Sequence, residues 1–139
     1  TFPKPRVAGL NFSFSGLKTA IRYFIQKKEA QNPGFIKENL SDLCASIQHT
    51  IVTILMDKLE NAVTQTGIKA VAVGGGVSAN SAIRSALKET EKKYGWTTYI
   101  PKFEYCTDNA AMIGIVGYLN YIKGNFSPEN VIATARYSL

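Results

Sequence analysis

Hydrophobic positions follow three different rhythms along this chain. Asn11-Phe12-Ser13-Phe14-Ser15 alternates polar and aromatic residues, the period of a strand with one face buried, and Gly16 ends it. Leu17, Ile21, Phe24 and Ile25 then share one stripe of a helix running to about Lys28. Asn32-Pro33-Gly34 is a turn. From about Phe35 to Val63 the spacing is helical again, with Leu40, Leu43, Ile47, Ile51, Ile54 and Leu59 as the main stripe, and Gly67 stops it.

A third rhythm begins at Lys69. Lys69 to Val73 is short, β-branched and apolar, which predicts a buried, central strand followed at once by Gly74-Gly75-Gly76. Helical spacing resumes around Ser78 to Ser81, continues through Ile83, Leu87 and Tyr94, and stops at Gly95. Thr97 to Ile100 is a second strand, closed by Pro101. Thr107-Asp108-Asn109 offers helix-capping chemistry before a helix from about Ala110 to Lys123. That helix is apolar nearly all round, which predicts burial between layers, with Gly114 and Gly117 permitting close approach. The lead-in from Phe2 to Gly9 is extended, and Val131 to Leu139 is a loose end or docking segment.

The order strand, helix, helix, strand, helix, strand, helix predicts an α/β fold, its last part a parallel unit with a right-handed crossover. Ligands of such sheets sit beyond the carboxyl ends of the strands. Gly74 to Gly76 lie at one such end, and Cys106 to Asn109 follow another.

Composition narrows the class. With 139 residues, 45% hydrophobic and 19% charged, the chain suits one globular domain and excludes a disordered or fibrous one. The longest mainly apolar stretch, Ala110 to Leu119, is too short to span a bilayer, and no secretory leader opens the chain. Cys44 and Cys106 lie far apart, which disfavours a disulfide scaffold or zinc finger and fits a reducing, cytoplasmic setting; both read as small buried residues. A net charge of +6, without any block of like charges, permits contact with nucleic-acid phosphates but does not demand it. Opening on Thr1 rather than Met is what is expected of a processed product or of a fragment of something longer.

The triple glycine is the first candidate site. After a buried strand, residues without Cβ admit a ligand to the backbone, and the next helix start offers free N–H groups to phosphate. A bare strand-to-helix turn explains the glycines equally well. No Gly-Lys-Ser/Thr follows, so it is not a Walker loop. Asn80 either caps the helix or binds a ligand. Asp108 likewise caps a helix or ligates a metal, and one carboxylate cannot hold a catalytic metal alone. His49, the one histidine, lies roughly 200° from Ile47 around its helix, away from the main stripe, and reads as structural or solvent-facing.

Three segments in order carry a resemblance. Asn11-Phe12-Ser13-Phe14-Ser15-Gly16-Leu17-Lys18-Thr19, Gly75-Gly76-Val77-Ser78-Ala79-Asn80 and Cys106-Thr107-Asp108-Asn109-Ala110-Ala111-Met112-Ile113-Gly114 together resemble the carboxyl-terminal part of the TsaD family. These are catalytic subunits of tRNA threonylcarbamoyladenosine synthesis, long labelled O-sialoglycoprotein endopeptidases. The resemblance implies a ribonuclease-H-like lobe of the actin-like ATPase superfamily, which includes sugar kinases, Hsp70 and actin. Residues 1–139 would form the second, C-terminal lobe, and the first lobe is absent. Gly75, Gly76 and Asn80 would then contact an adenine nucleotide or threonylcarbamoyl-adenylate. Asp108 would be one ligand of an iron or zinc ion. The implied reaction transfers a threonylcarbamoyl group to N6 of adenosine 37 in tRNAs reading ANN codons. The implied partners are tRNA and accessory subunits, with no membrane, and self-association through the exposed lobe interface is expected. The family's His-x-x-x-His metal pair and phosphate loop belong to the first lobe and do not occur here, so this chain alone should be inactive. The other readings are a non-enzymatic nucleotide- or partner-binding module and the older metalloprotease label, which the lack of a His-Glu-x-x-His helix weakens.

Overall fold

The computed structural model describes residues 2–5 and 7–132. Among them the elements run α1 (Ser15–Gln31), α2 (Phe35–Glu38), α3 (Leu40–Thr66), β1 (Ala70–Ala72), α4 (Ser81–Tyr94), β2 (Thr97–Tyr99) and α5 (Ala110–Ile122). The chain divides into two compact units, one running up to Cys106 and the other from Thr107 onward. The architecture is α/β with a small parallel sheet.

In the first unit β1 and β2 pair in parallel, with Ala70 opposite Thr97, Val71 opposite Thr98 and Ala72 opposite Tyr99. Val73 N–H donates to the Tyr99 carbonyl and extends the ladder by one bond, at 3.1 Å. The α4 crossover joins them, as a parallel pair requires. Val71, Ile83, Leu87 and Trp96 form the core, and Leu55, Met56, Leu59 and Val63 of α3 pack against it. Helices α3 and α4 thus cover one face of the strand pair. Trp96 stacks on Tyr94 at 5.4 Å between ring centroids.

Helix ends follow the expected chemistry. Gly67 adopts the left-handed conformation (φ 71°) that closes α3, and its N–H reaches the Val63 carbonyl. The Asn32-Pro33-Gly34 turn is held by Glu29, whose carboxylate accepts from the N–H groups of Gly34 (2.8 Å) and Ile36 (3.0 Å). Those two bonds hold the Glu29 carboxyl below its usual range. The lead-in is tied to α3 by the Lys4–Asp57 ion pair and by Lys58, which donates to the carbonyls of Val7 and Gly9.

Several expectations need correction. Residues 11–14 form no strand: among the described residues the sheet has only β1 and β2, and α1 starts at Ser15 with Gly16 inside it. Phe12 and Phe14 do share a side, as the alternation demands, but they stack on each other at 6.4 Å. A strand needs a neighbour for its N–H and C=O groups, and none is at hand. Strand β1 is not central. Val71 is buried, while Ala70 and Ala72 face outward and are exposed. Helix α5 is not sandwiched: none of its residues is buried, and Ile113 is 77% exposed. A Cβ added at Gly114 or Gly117 would meet nothing within 4 Å. Cys106 is buried as expected, but Cys44 is exposed. His49 is exposed. Of the tail, residues 133–139 lie outside the described residues.

A candidate nucleotide-binding turn

Beyond the carboxyl end of β1 the backbone turns sharply. Gly75 takes φ 78°, ψ 173°, a region open essentially to glycine alone. A 3-10 turn, Gly76–Ala79, follows directly. Ser78 locks it: its N–H and its hydroxyl both donate to the Gly75 carbonyl, at 3.0 and 2.7 Å. Asn80 N–H closes the turn on the Val77 carbonyl. The glycine segment is therefore a rigid, self-braced corner rather than a loose loop.

Asn80 then starts α4. Its Oδ1 accepts from the N–H groups of Ala82 (3.0 Å) and Ile83 (3.1 Å), the N-cap geometry. Two backbone donors on one atom fix which end of the amide is oxygen. The Nδ2 group meets only Gln48 Oε1, at a long 3.4 Å. So the capping and binding readings of Asn80 do not compete: the oxygen is committed to the helix, and the NH2 group is held only by the long bond to Gln48.

Gly75 and Gly76 are exposed and Asn80 is half-buried. An added Cβ at Gly75 or Gly76 would meet nothing within 4 Å, so space above the turn is open. The turn also borders an apolar cavity of about 440 Å³ lined by Phe12, Leu55, Met56, Val73, Gly74 and Val77 among others. Gly75, Gly76 and Asn80 do not line that cavity; they stand on the solvent side of the same corner.

Arg84, four residues after the cap, was not singled out from the sequence. Its Nη1 donates to the Ser78 carbonyl at 2.9 Å and its Nη2 to the Pro101 carbonyl at 2.8 Å. Nη1 also lies 3.8 Å from the Sγ of buried Cys106. A signal was present: a cation in the first turn of a helix opposes the helix dipole, and no acidic residue accompanies it there.

Asp108 belongs to the second unit. Asn109, not Asp108, caps α5, accepting from Met112 N–H at 3.2 Å. The Asp108 side chain is exposed and takes part in no hydrogen bond or ion pair among the described residues. No group of three or more His, Cys, Asp and Glu residues among the described residues could hold a metal. The donors among the described residues therefore do not make a metal centre, and Asp108 offers one carboxylate only. No helix among the described residues is long and apolar enough to cross a membrane.

Comparison with known proteins places this corner in context. The profile of TsaD, tRNA N6-adenosine threonylcarbamoyltransferase, matches residues 1–115. The chain is 60% identical over 98% of its length to the tRNA N6-adenosine threonylcarbamoyltransferase of Christiangramia forsetii, of which it covers 40%. It is 57% identical over its whole length to the Riemerella anatipestifer protein of that name, covering 41% of it. The Porphyromonas gingivalis protein of that name is 49% identical over 99% of the chain, with 40% of that protein covered. The chain thus spans about 40% of the length of the curated relatives it matches. With a profile match over most of the chain and identities up to 60%, the glycine turn, its capped helix and the segment leading into α5 are those of a TsaD protein, and the chain belongs to the TsaD family.

Proposed function

We propose that this chain is the second, ribonuclease-H-like lobe of a tRNA N6-adenosine threonylcarbamoyltransferase and supplies one wall of its nucleotide site. The observation that carries the reading is the corner at residues 74–80. It is braced from within by Ser78, has no side chain above Gly75 and Gly76, and carries the NH2 group of Asn80, held only by a long 3.4 Å bond to Gln48. Its occurrence in a chain up to 60% identical to proteins of that name supports the reading of the activity.

In the reaction, the N6 amine of adenosine 37 attacks the carbonyl carbon of threonylcarbamoyl-adenylate. A C–N bond forms, the bond from carbonyl carbon to phosphate oxygen breaks, AMP leaves, and the amine loses a proton. This chain's part is binding and orientation. The glycine turn lets the nucleotide lie against backbone, and Asn80 Nδ2 donates to it. Fixing the adenylate in this way removes freedom that the transfer step would otherwise have to lose. The divalent iron or zinc ion implied by the resemblance would take Asp108 as one ligand and its remaining protein ligands from outside this chain. The substrate tRNA and the accessory subunits belong to the same reading, as does a cytoplasmic setting.

The test is reconstitution with tRNA, ATP, threonine, bicarbonate and the partner subunits, followed by nucleoside analysis. The intact polypeptide should form threonylcarbamoyladenosine, and the 139-residue chain alone should form none. Robust product from the 139-residue chain, or none from the intact polypeptide, would overturn the reading.

A further inference from the structure

We propose that Arg84 is a positioning residue: by bridging the carbonyls of Ser78 and Pro101, it sets where the nucleotide-binding turn stands relative to the segment that follows β2. The proposal rests on the reading of the turn given above and deepens it.

Two segments leave the sheet at the same end, one after each parallel strand. Each is folded on itself. The first is closed by Ser78 on the Gly75 carbonyl. The second is a 3-10 turn, Phe103–Tyr105, in which Tyr105 N–H and the Cys106 thiol both turn back to the Lys102 carbonyl. Cys106 is 1% exposed and anchors that segment in the unit. Between Gly74 and Cys106, one side chain hydrogen-bonds to both segments. Arg84 reaches Ser78 O with Nη1 and Pro101 O with Nη2, while its own N–H is bonded to the Asn80 carbonyl.

A purely structural tie would not call for arginine. A cation in the first turn of α4 works against the helix dipole, and a half-buried guanidinium gives up part of its hydration. What the planar fork adds is two donors at fixed separation, aimed at two acceptors on different segments. Lysine supplies charge without that geometry. Ligands of parallel sheets bind beyond the carboxyl ends of the strands, the end at which Arg84 ties these two segments together.

The experiment uses the intact polypeptide with Arg84→Met, Arg84→Lys and Arg84→Ala, beside Gly76→Val as a probe of the turn itself. Unfolding curves first define a temperature at which every variant is folded. ATP affinity is then measured there by calorimetry and turnover by product formation. Arg84→Met and Arg84→Lys should each weaken ATP binding about tenfold or more, since small misplacements of positioned groups carry losses of that order. Low, non-denaturing guanidinium should restore binding to Arg84→Ala, while the same concentration of sodium ion should not. Because the rescue is read within one variant, it stands even where the other two are unstable. Variants that melt earlier yet bind ATP and turn over like the parent would reduce Arg84 to a structural tie and overturn the proposal. Loss of binding in Gly76→Val with none in the Arg84 variants would sink the proposal and leave the turn reading intact. Unchanged binding in Gly76→Val would remove the turn reading and the proposal with it.

Discussion

Replacing Asn80 separates what its two amide atoms do. Asn80→Ala deletes an oxygen that accepts from Ala82 N–H at 3.0 Å and Ile83 N–H at 3.1 Å. Asn80 is half-buried, so water can reach the freed donors. The cost is therefore that of a lost cap, about 1 kcal/mol, rather than that of a buried orphan. In a protein of a few hundred residues this lowers Tm by about 2–4 °C. Asn80→Asp keeps the acceptor and adds a negative charge beside the helix N-terminus, worth about 0.3–1 kcal/mol in its favour. It also removes the NH2 group that the proposed reading gives to the nucleotide. The two variants should thus diverge in stability and agree in binding: alanine melts lower and aspartate does not, while both lose affinity for ATP. The assay is a thermal melt and an ATP titration on each variant of the intact polypeptide. An alanine variant with parental Tm would refute the cap. An alanine variant that melts lower but binds ATP like the parent would show that Asn80 does nothing except cap.

The corner glycines should behave differently from each other. Gly75→Ala should destabilise by about 1–3 kcal/mol because φ 78°, ψ 173° is closed to other residues, read as a lower urea midpoint. Gly76 has no positive φ and open space at its Cβ, so Gly76→Ala should leave the urea midpoint within about 1 kcal/mol of the parent. Leu87, 1% exposed in the cluster with Val71, Ile83 and Trp96, should cost about 2–5 kcal/mol as alanine, measured by denaturant titration. Glu91 accepts from the hydroxyl and N–H of Thr98 and from Lys88, which hold its pKa at about 2 against an ordinary 4.5. A depressed carboxylate stabilises above its unfolded pKa and loses that contribution as pH falls through the folded one. The stability gap between parent and Glu91→Gln should therefore be constant above about pH 5 and shrink from there towards pH 2; a gap that widens on acidification would contradict the assignment.

Features whose partners lie within a turn of chain were legible in the sequence. Asn80 before Ser81-Ala82-Ile83 announced a cap, Gly67 a helix end, and Lys69 to Val73 before three glycines a short strand ending in a turn. Missed features had distant partners. Alternation at Asn11 to Ser15 states that Phe12 and Phe14 share a side, which they do, but pairing needs a second strand. Helix α5 is apolar on all sides, and that pattern demands cover without naming it; none of its residues is buried. Arg84 escaped notice because its acceptors are backbone carbonyls, which every residue carries and no side-chain pattern displays.

The same distinction bears on the site. The hydrogen bonds that close the corner at residues 74–80 on itself come from nearby in the chain: the Ser78 brace, the Asn80 cap and the Arg84 guanidinium. Local bracing of this kind is what the proposed binding wall would require for preorganisation. Catalysis and metal binding need the opposite, several donors converging from separated parts of a polypeptide. Among the described residues only one such donor, Asp108, stands uncommitted in the segments of resemblance. A chain that completes its binding wall and contributes a single carboxylate to chemistry is, on the reading proposed here, the part of the enzyme that holds the substrate, with the reacting groups assembled by the remainder.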